Sequence, residues 1–103
     1  MTLPELLHLL RTTELPQCTS YLGHNGACCA MGVIALELGF AQSDLEAHGS
    51  AKYTKAWTAV HTQLDALGID SSLVWANNDR GYTFPEIATE IEQALGLETE
   101  PLL

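Results

Sequence analysis

Three cysteines and a histidine lie close together in the first third of the chain, in the pattern Cys18-x5-His24-x3-Cys28-Cys29. Thiolate and imidazole groups are the usual ligands of protein-bound zinc, but this spacing matches no standard finger or ribbon. Successive residues of a helix also diverge by about 100°, so Cys28 and Cys29 would not easily face one ion. Two interpretations stay open: a metal site using Cys18, His24 and Cys28, or small buried core residues, since free cysteine is usually buried.

The same segment could instead supply a catalytic thiol. Cys28 follows a turn and opens a predicted helix, where the helix dipole and free amides are expected to lower a thiol pKa. A general base would have to come from His24, His48 or His61. A cysteine that opens a buried helix and precedes a histidine resembles papain-like thiol enzymes. Those enzymes carry the histidine on a substantial sheet, whereas this sequence predicts little sheet.

Other polar clusters favour structural roles. The run 77–81 lacks the alternating ligands and distal glutamate of a calcium loop and predicts a turn, with Asp79 near the start of the last helix. Glu86, Glu90 and Glu92 lie on the polar side of the last predicted helix and predict a solvated helix face. Phosphate-binding glycine loops, nucleophile elbows and dinucleotide fingerprints are missing from the sequence, so we expect no cofactor.

Capping signals mark where the helices begin. Residues 2–5 and 83–86 share the pattern Thr-x-Pro-Glu. A threonine side chain can cap the first amides, and a glutamate three residues later can complete a capping box. Residues 43–46 (Ser-Asp-Leu-Glu) predict a third box that opens a short helical turn.

Three Leu-Gly-apolar triplets, at residues 38–40, 67–69 and 95–97, predict where helices end. Glycine reaches the left-handed conformation that closes a helix, and the apolar residue after it packs back on the last turn. Starts and stops together predict four helices, spanning residues 3–11, 27–38, 50–67 and 84–95. The second is apolar nearly all round and should be the buried central helix. Its Gly32 is expected to permit a close helix crossing.

The predicted fold is therefore mainly α: a compact four-helix single domain around a buried central helix. Two short β-prone segments, 18–22 and 72–75, could pair as a small two-stranded ribbon or remain extended connectors. Residues 76–81 predict a polar turn, and residues 97–103 a frayed tail. The alternative is a roughly α+β fold.

The two tryptophans, Trp57 and Trp75, are expected to be core anchors. Aromatic side chains that stack on nucleic-acid bases work together with basic residues, and none interleaves with them here.

The net charge of the chain argues against nucleic acids and anionic membranes as partners. The formal net charge is −9, from 13 acidic and 4 basic residues. The basic residues are scattered at Arg11, Lys52, Lys55 and Arg80, whereas binding nucleic acid needs clustered cations. The same charge would repel an anionic membrane. An acidic domain can bind a basic partner or imitate nucleic acid, or the charge can serve solubility alone.

The cysteines and the apolar runs predict a cytoplasmic protein. An odd cysteine count with one adjacent pair makes a poor disulfide framework. The first 13 residues have no basic region and no small-residue cleavage site, so we predict no secretory signal. The longest apolar run, residues 27–36, is too short to cross a bilayer. We therefore expect reduced thiols in the cytoplasm.

Two segments together resemble a known protein family. Residues 26–34 (GACCAMGVI) resemble a Cys-Cys-x-x-Gly-Val segment. Residues 78–92 (NDRGYTFPEIATEIE) resemble an Asn-Asp-x-Gly-x-Thr-Phe-x-x-Ile-Ala segment. The pair occurs, in this order, in small uncharacterised proteins of phages, prophages and some bacteria. This chain departs from the family between residues 40 and 50, where relatives carry a longer insertion.

The resemblance implies that Cys28, Gly32 and the turn 78–84 belong to one shared architecture. It also implies a phage or mobile-element origin, and such genomes encode many small acidic proteins that bind a host protein. It supplies no catalytic residues.

The leading hypothesis is a small acidic protein-binding module that is not an enzyme, of the kind that phages use to modulate or inhibit a host protein. Its partner would be another protein. A homo-oligomer that buries Trp75 or Leu73 is as compatible with the sequence as a monomer is. The alternatives are the thiol-dependent enzyme using Cys28 with a histidine and the metal-binding domain using Cys18, His24 and Cys28.

Overall fold

The computed structural model describes residues 1–96, which form six helices and one two-stranded ribbon. In chain order the elements are α1 (Leu3–Thr12), β1 (Gly23–His24), β2 (Ala27–Cys28), α2 (Ala30–Glu37), α3 (Gln42–Glu46), α4 (Ala51–Ala66), α5 (Ser72–Asp79) and α6 (Phe84–Ala94). The prediction of a mainly α domain with a small ribbon is confirmed. The predicted frayed tail, residues 97–103, lies outside the described residues.

Helix α2 forms the centre of the domain. Its residues 30–35 are all buried, and it packs against α1, α4 and α5. Helix α6 packs against α1 and α5 and completes the layer around it. The prediction of a buried central helix is therefore confirmed, as expected for a segment that is apolar on every face.

The two Thr-x-Pro-Glu boxes form as predicted. Glu5 Oε1 accepts a hydrogen bond from the Thr2 backbone N–H (2.7 Å), and Glu86 Oε1 accepts one from the Thr83 N–H (2.8 Å). Each threonine hydroxyl accepts from the glutamate N–H in return. The boxes thereby satisfy amides that a helix start leaves without partners.

The third box lies in a different register from the prediction. Helix α3 begins at Gln42, and Ala41 takes the N-cap position in place of Ser43. The Asp44 carboxylate accepts a hydrogen bond from the Ala41 N–H (3.1 Å). Asp44 therefore closes the first turn, which the sequence pattern had assigned to Glu46.

The first two Leu-Gly-apolar triplets end helices as predicted, and the last residue of the third, Leu97, lies outside the described residues. Gly68 has φ +76°, and the Ile69 N–H after it donates to the Leu64 carbonyl oxygen (2.9 Å). The Phe40 N–H donates in the same way to Ala35 O (3.1 Å). These bonds satisfy carbonyls of the last helical turn and fold the following apolar residue onto the core.

The ribbon is not the predicted one. It is a local hairpin in which Gly23 pairs with Cys28 and His24 pairs with Ala27. The central residues Asn25 and Gly26 have φ +51° and +82°, a conformation that the Asn-Gly dipeptide favours in tight hairpins. Helix α2 consequently begins at Ala30 and not at residue 27.

The other half of the predicted ribbon is helical. Residues 72–75 open helix α5, and this helix continues to Asp79 through most of the segment predicted as a polar turn. Asp70 Oδ1 accepts a hydrogen bond from the Ser72 N–H (3.0 Å) at the helix start. The buried side chain of Asn78 makes three hydrogen bonds to other segments, which offset the weak helix preference of asparagine.

Gly32 permits a close approach, but its neighbour is a loop and not a second helix. A Cβ atom at Gly32 would overlap the carbonyl oxygen of Leu22. That carbonyl accepts a hydrogen bond from the Cys29 N–H (3.1 Å). The glycine therefore lets the loop before the hairpin lie directly on the first turn of α2.

Candidate functional site

A buried asparagine fixes the loop that precedes the hairpin. Asn78 has no solvent exposure. Its Oδ1 accepts hydrogen bonds from the Ala30 N–H (2.9 Å) and from Gln17 Nε2 (2.8 Å), and its Nδ2 donates to Cys18 O (2.9 Å). One side chain thus joins the start of α2, the loop and α5.

The adjacent aspartate holds the next part of this loop. Asp79 Oδ1 accepts a hydrogen bond from the Ser20 N–H (2.9 Å). Ser20 adopts φ +74°, a region that residues other than glycine rarely enter and that often persists at functional sites. This turn leaves the side chain of Tyr21 44% exposed. The sequence had instead placed Asp79 at the start of the last helix, which is wrong.

Helix α3 holds the hairpin from the other side. Glu46 Oε2 accepts hydrogen bonds from the Gly26 N–H (2.8 Å) and from Gln42 Nε2 (2.7 Å). Both bonds lower the pKa of the Glu46 carboxyl, and the bond from Gln42 has the larger effect. His48, just after α3, donates from Nε2 to Gly23 O (2.9 Å). The hairpin is therefore anchored at its turn and along its first strand.

Aromatic rings form a continuous layer over this region. The rings of Tyr21 and His48 stack with centroids 4.0 Å apart and planes 12° apart. His48 also meets Tyr53 edge-on at 5.5 Å, and His24 lies 6.1 Å from His48. The Leu22 N–H donates to Tyr53 Oη (3.2 Å). The loop, the hairpin and α4 thus present one aromatic surface.

This surface borders an open cleft of about 180 Å³. We call it the aromatic cleft and define it by its lining residues, Ser20, Tyr21, Leu22, Cys29, Tyr53, Trp57, Trp75 and Asp79. A second depression of about 290 Å³ adjoins it and shares Ser20, Tyr53 and Trp57. Four aromatic side chains from three separate segments therefore surround one concave surface.

Neither tryptophan is fully buried, whereas the sequence predicts both as core anchors. Trp75 is 40% exposed, and Trp57 is only partly buried. Both line the aromatic cleft. On helix α5 the core contact is made by Val74, so Trp75, one residue later, points to a different face.

Among the residues that line the aromatic cleft, one is acidic and none is a lysine or an arginine. Asp79 is the one carboxylate among these residues. Two of the four basic residues pair with acidic residues elsewhere. Arg11 bonds Glu92 through two nitrogen atoms (3.1 and 2.7 Å). Lys52 lies 3.8 Å from an Asp44 oxygen. The cleft therefore keeps the negative character of the whole chain.

The candidate nucleophile Cys28 does not have the expected low pKa. Its side chain is fully buried, and its Sγ donates to Gln42 Oε1 (3.1 Å). Burial raises the pKa of the thiol to about 11. The N-cap position of α2 belongs to Cys29, whose Sγ accepts from the Gly32 N–H (3.4 Å). Burial raises the pKa of Cys29 as well, to about 12.

None of the candidate bases bonds Cys28 in the described residues. His24 is exposed on β1, and His48 bonds the hairpin backbone. His61 lies on α4 beside Trp57, with ring centroids 4.6 Å apart. No hydrogen bond within residues 1–96 joins a histidine to Cys28. The described geometry thus gives a thiol-dependent enzyme no assembled nucleophile and base.

The candidate metal ligands Cys18 and Cys28 are neighbours along the backbone, but their thiols contact different residues. The Cys18 N–H donates to Cys28 O (3.0 Å). Cys18 Sγ, however, donates to Tyr21 O (3.5 Å), whereas Cys28 Sγ bonds Gln42. The part of the chain that the structure describes contains no group of three or more His, Cys, Asp or Glu residues able to hold a metal ion. The metal hypothesis gains no support from the fold.

No helix in the described part of the chain is long and apolar enough to cross a membrane.

A scan against protein-family models, a search of curated proteins and a search of solved structures each found no significant match. The chemistry of the aromatic cleft must therefore be interpreted from its own residues.

Proposed function

We propose that this chain is a small acidic protein-binding module without enzymatic activity, and that it binds its partner through the aromatic cleft. Such a module could modulate or inhibit a host protein, as many small phage-encoded proteins do. The observation that carries the proposal is the pair of large exposed aromatic side chains, Tyr21 and Trp75, on opposite segments of one cleft.

Exposure of these rings is unfavourable for the free protein. Apolar surface left in water forgoes the free energy that its burial would give, roughly 25 cal/mol per Å². Tyrosine and tryptophan are also the residues that most often dominate binding energy in protein interfaces. The hydrogen bonds of Asn78 and Asp79 hold the loop that carries Tyr21, so little ordering would be needed on binding.

Charge selects the kind of partner. The net charge of −9 favours a protein with a basic segment and speeds its association. The lining of the aromatic cleft contains Asp79 and no lysine or arginine. A basic, extended or loop segment of another protein is therefore the occupant that we propose. The three free thiols suit a reducing compartment such as the cytoplasm.

Selection of random peptides on the immobilised domain tests this proposal. Each selected peptide is then measured against the Trp75→Ala variant and against Leu15→Ala. Leu15 is 36% exposed, which makes it a matched apolar control away from the cleft lining. We expect basic peptides whose affinity falls at least about tenfold in Trp75→Ala, within the range of interface hot spots. Leu15→Ala should bind them as the unaltered protein does.

Failure to enrich any peptide that depends on Trp75 would contradict the proposal. Circular dichroism and thermal unfolding of both variants establish that they fold before binding is compared. Self-association that disappears in Trp75→Ala would identify a second copy of the chain as the occupant and would overturn the basic partner.

A further inference from the structure

We infer that the aromatic cleft receives one arginine side chain of the partner, which stacks on an aromatic ring and pairs with the carboxylate of Asp79. This inference rests on the proposed function and names the group that the cleft recognises. It follows from the position of Asp79, from its hydrogen bonding and from the size of the cleft.

Helix α5 places the aromatic ring and the carboxylate side by side. Trp75 and Asp79 are four residues apart, and residues at this spacing are neighbours on a helix surface. Both line the aromatic cleft. A planar cation can therefore contact the indole and the carboxylate at once.

One carboxylate oxygen of Asp79 accepts a hydrogen bond from the chain, and the other has no partner among the described residues. Its Oδ1 accepts the hydrogen bond from the Ser20 N–H, which fixes the orientation of the carboxylate. Its Oδ2 has no hydrogen-bond partner, and the carboxylate no salt bridge, among the described residues. The neighbouring Arg80 forms no salt bridge with it among the described residues, and its Nη1 donates instead to Asn77 Oδ1 (3.3 Å). The carboxylate is positioned for a cation that the chain itself does not supply.

The guanidinium group fits this combination better than an ammonium group. It is planar and weakly hydrated, so it stacks on aromatic faces while its N–H groups bond a carboxylate in the same plane. An ammonium is a strongly hydrated point charge and gains less from stacking. Four aromatic side chains line the cleft, which gives a planar cation more than one face to contact.

The size and openness of the cleft suit a side chain that projects from a larger partner. The aromatic cleft measures about 180 Å³ and is open to the surface, which is room for one side chain. The adjoining depression of about 290 Å³ shares Ser20, Tyr53 and Trp57 with it and leaves space for the segment that carries this side chain.

The intrinsic fluorescence of the protein reports directly on this cleft, because Trp57 and Trp75 are its only tryptophans and both line it. The probe is a blocked pentapeptide with one arginine among glycines and serines. The same peptide with citrulline, which keeps the shape and removes the charge, is the first comparison, and a lysine peptide is the second. We expect saturable quenching of the tryptophan fluorescence by the arginine peptide. Its affinity should exceed that of the citrulline and lysine peptides at least about tenfold, because one charged hydrogen-bonded contact is typically worth that much.

Two isosteric variants isolate the carboxylate. Asp79→Asn keeps an oxygen that can accept from Ser20 N–H but removes the charge. Asp70→Asn makes the same change of charge at the start of α5, where Asp70 bonds Ser72. We expect Asp79→Asn to bind arginine and citrulline peptides equally and Asp70→Asn to retain the preference.

Equal binding of the arginine and citrulline peptides by the unaltered protein, or equal behaviour of the two variants, would overturn the inference. A preference for the lysine peptide would also overturn it. Peptides selected through Trp75 that contain no arginine would overturn this inference alone. Absence of any Trp75-dependent peptide would overturn the proposed function with it.

Discussion

The side chain of Asn78 accepts a hydrogen bond from the backbone N–H of Ala30 over 2.9 Å. This bond joins the start of the central helix α2 to the end of α5. It also brings together residues 26–34 and residues 78–92, because the Asn78 side chain satisfies a backbone amide in the first turn of the helix that Cys29 caps.

Replacement of Asn78 should strongly destabilise the domain. Asn78→Ala removes three side-chain hydrogen bonds and leaves the buried Ala30 N–H without a partner. We expect the free energy of unfolding to fall by about 3 kcal/mol, since an unsatisfied buried group costs about 1–3 kcal/mol. Urea unfolding measures this loss. Asn77→Ala is the control, because the Asn77 side chain bonds only near neighbours in its own segment: Nδ2 donates to Leu73 O (2.8 Å) and Oδ1 accepts from Arg80 Nη1 (3.3 Å). Equal losses of unfolding free energy in the two variants would contradict the role of Asn78 in joining α2, the loop and α5.

A side chain at Gly32 should be poorly tolerated. Gly32→Ala places a Cβ against the carbonyl oxygen of Leu22, and overpacking of this kind costs about 1–3 kcal/mol. Gly49→Ala meets no atom within 4 Å and suffers only the strain of a positive φ, about 1 kcal/mol. Thermal unfolding should rank Gly32→Ala below Gly49→Ala. Equal melting temperatures would show that the loop can move away from α2.

Alkylation of the thiols should be slow. At neutral pH, the pKa of about 11 for Cys28 leaves little thiolate, so iodoacetamide should modify it more than about a hundredfold slower than a free thiol of pKa near 8.5. Cys18 is less buried and should react first. Peptide mass spectrometry of timed samples gives the rate at each site. A Cys28 that reacts as fast as a free thiol would revive the thiol-enzyme alternative.

The buried thiol should make stability fall at high pH. An exposed Cys28 in the unfolded chain ionises near pH 9, whereas the folded thiol keeps its proton to about pH 11. Between these values the unfolded state binds fewer protons, so the free energy of unfolding decreases as pH rises. Urea unfolding from pH 8 to pH 11 should show a shallower decline for Cys28→Ala than for the unaltered protein. Parallel declines would mean that Cys28 is not buried.

Local signals in the sequence were sufficient to predict much of the fold. The capping boxes at Thr2 and Thr83 and the glycine-terminated helix ends depend on residues a few positions apart, so a linear pattern contains all the information. The burial of α2 followed from its apolar composition alone. The hairpin at Asn25-Gly26 is equally local, because this dipeptide is by itself a signal for a two-residue hairpin turn.

The remaining features depend on contacts between distant segments. Helix α5 contains residues that favour turns, and it is helical because Asn78 bonds Ala30 and Cys18. No local pattern predicts this. The exposure of Trp75 likewise depends on which face of α5 meets α2 and α6. The aromatic cleft combines residues from the loop, α4 and α5, so it could not be read from spacing along the chain.

The most direct test of the account is to locate a bound basic peptide on the domain by two-dimensional NMR. The indole N–H signals of Trp57 and Trp75 are distinct probes of the aromatic cleft. We predict that a selected peptide shifts both indole signals and the amide of Tyr21, and that the shifts vanish in Trp75→Ala. Unchanged indole signals, with shifts confined to the separate groove beside Glu5, His8 and Glu37, would contradict a binding site at the aromatic cleft.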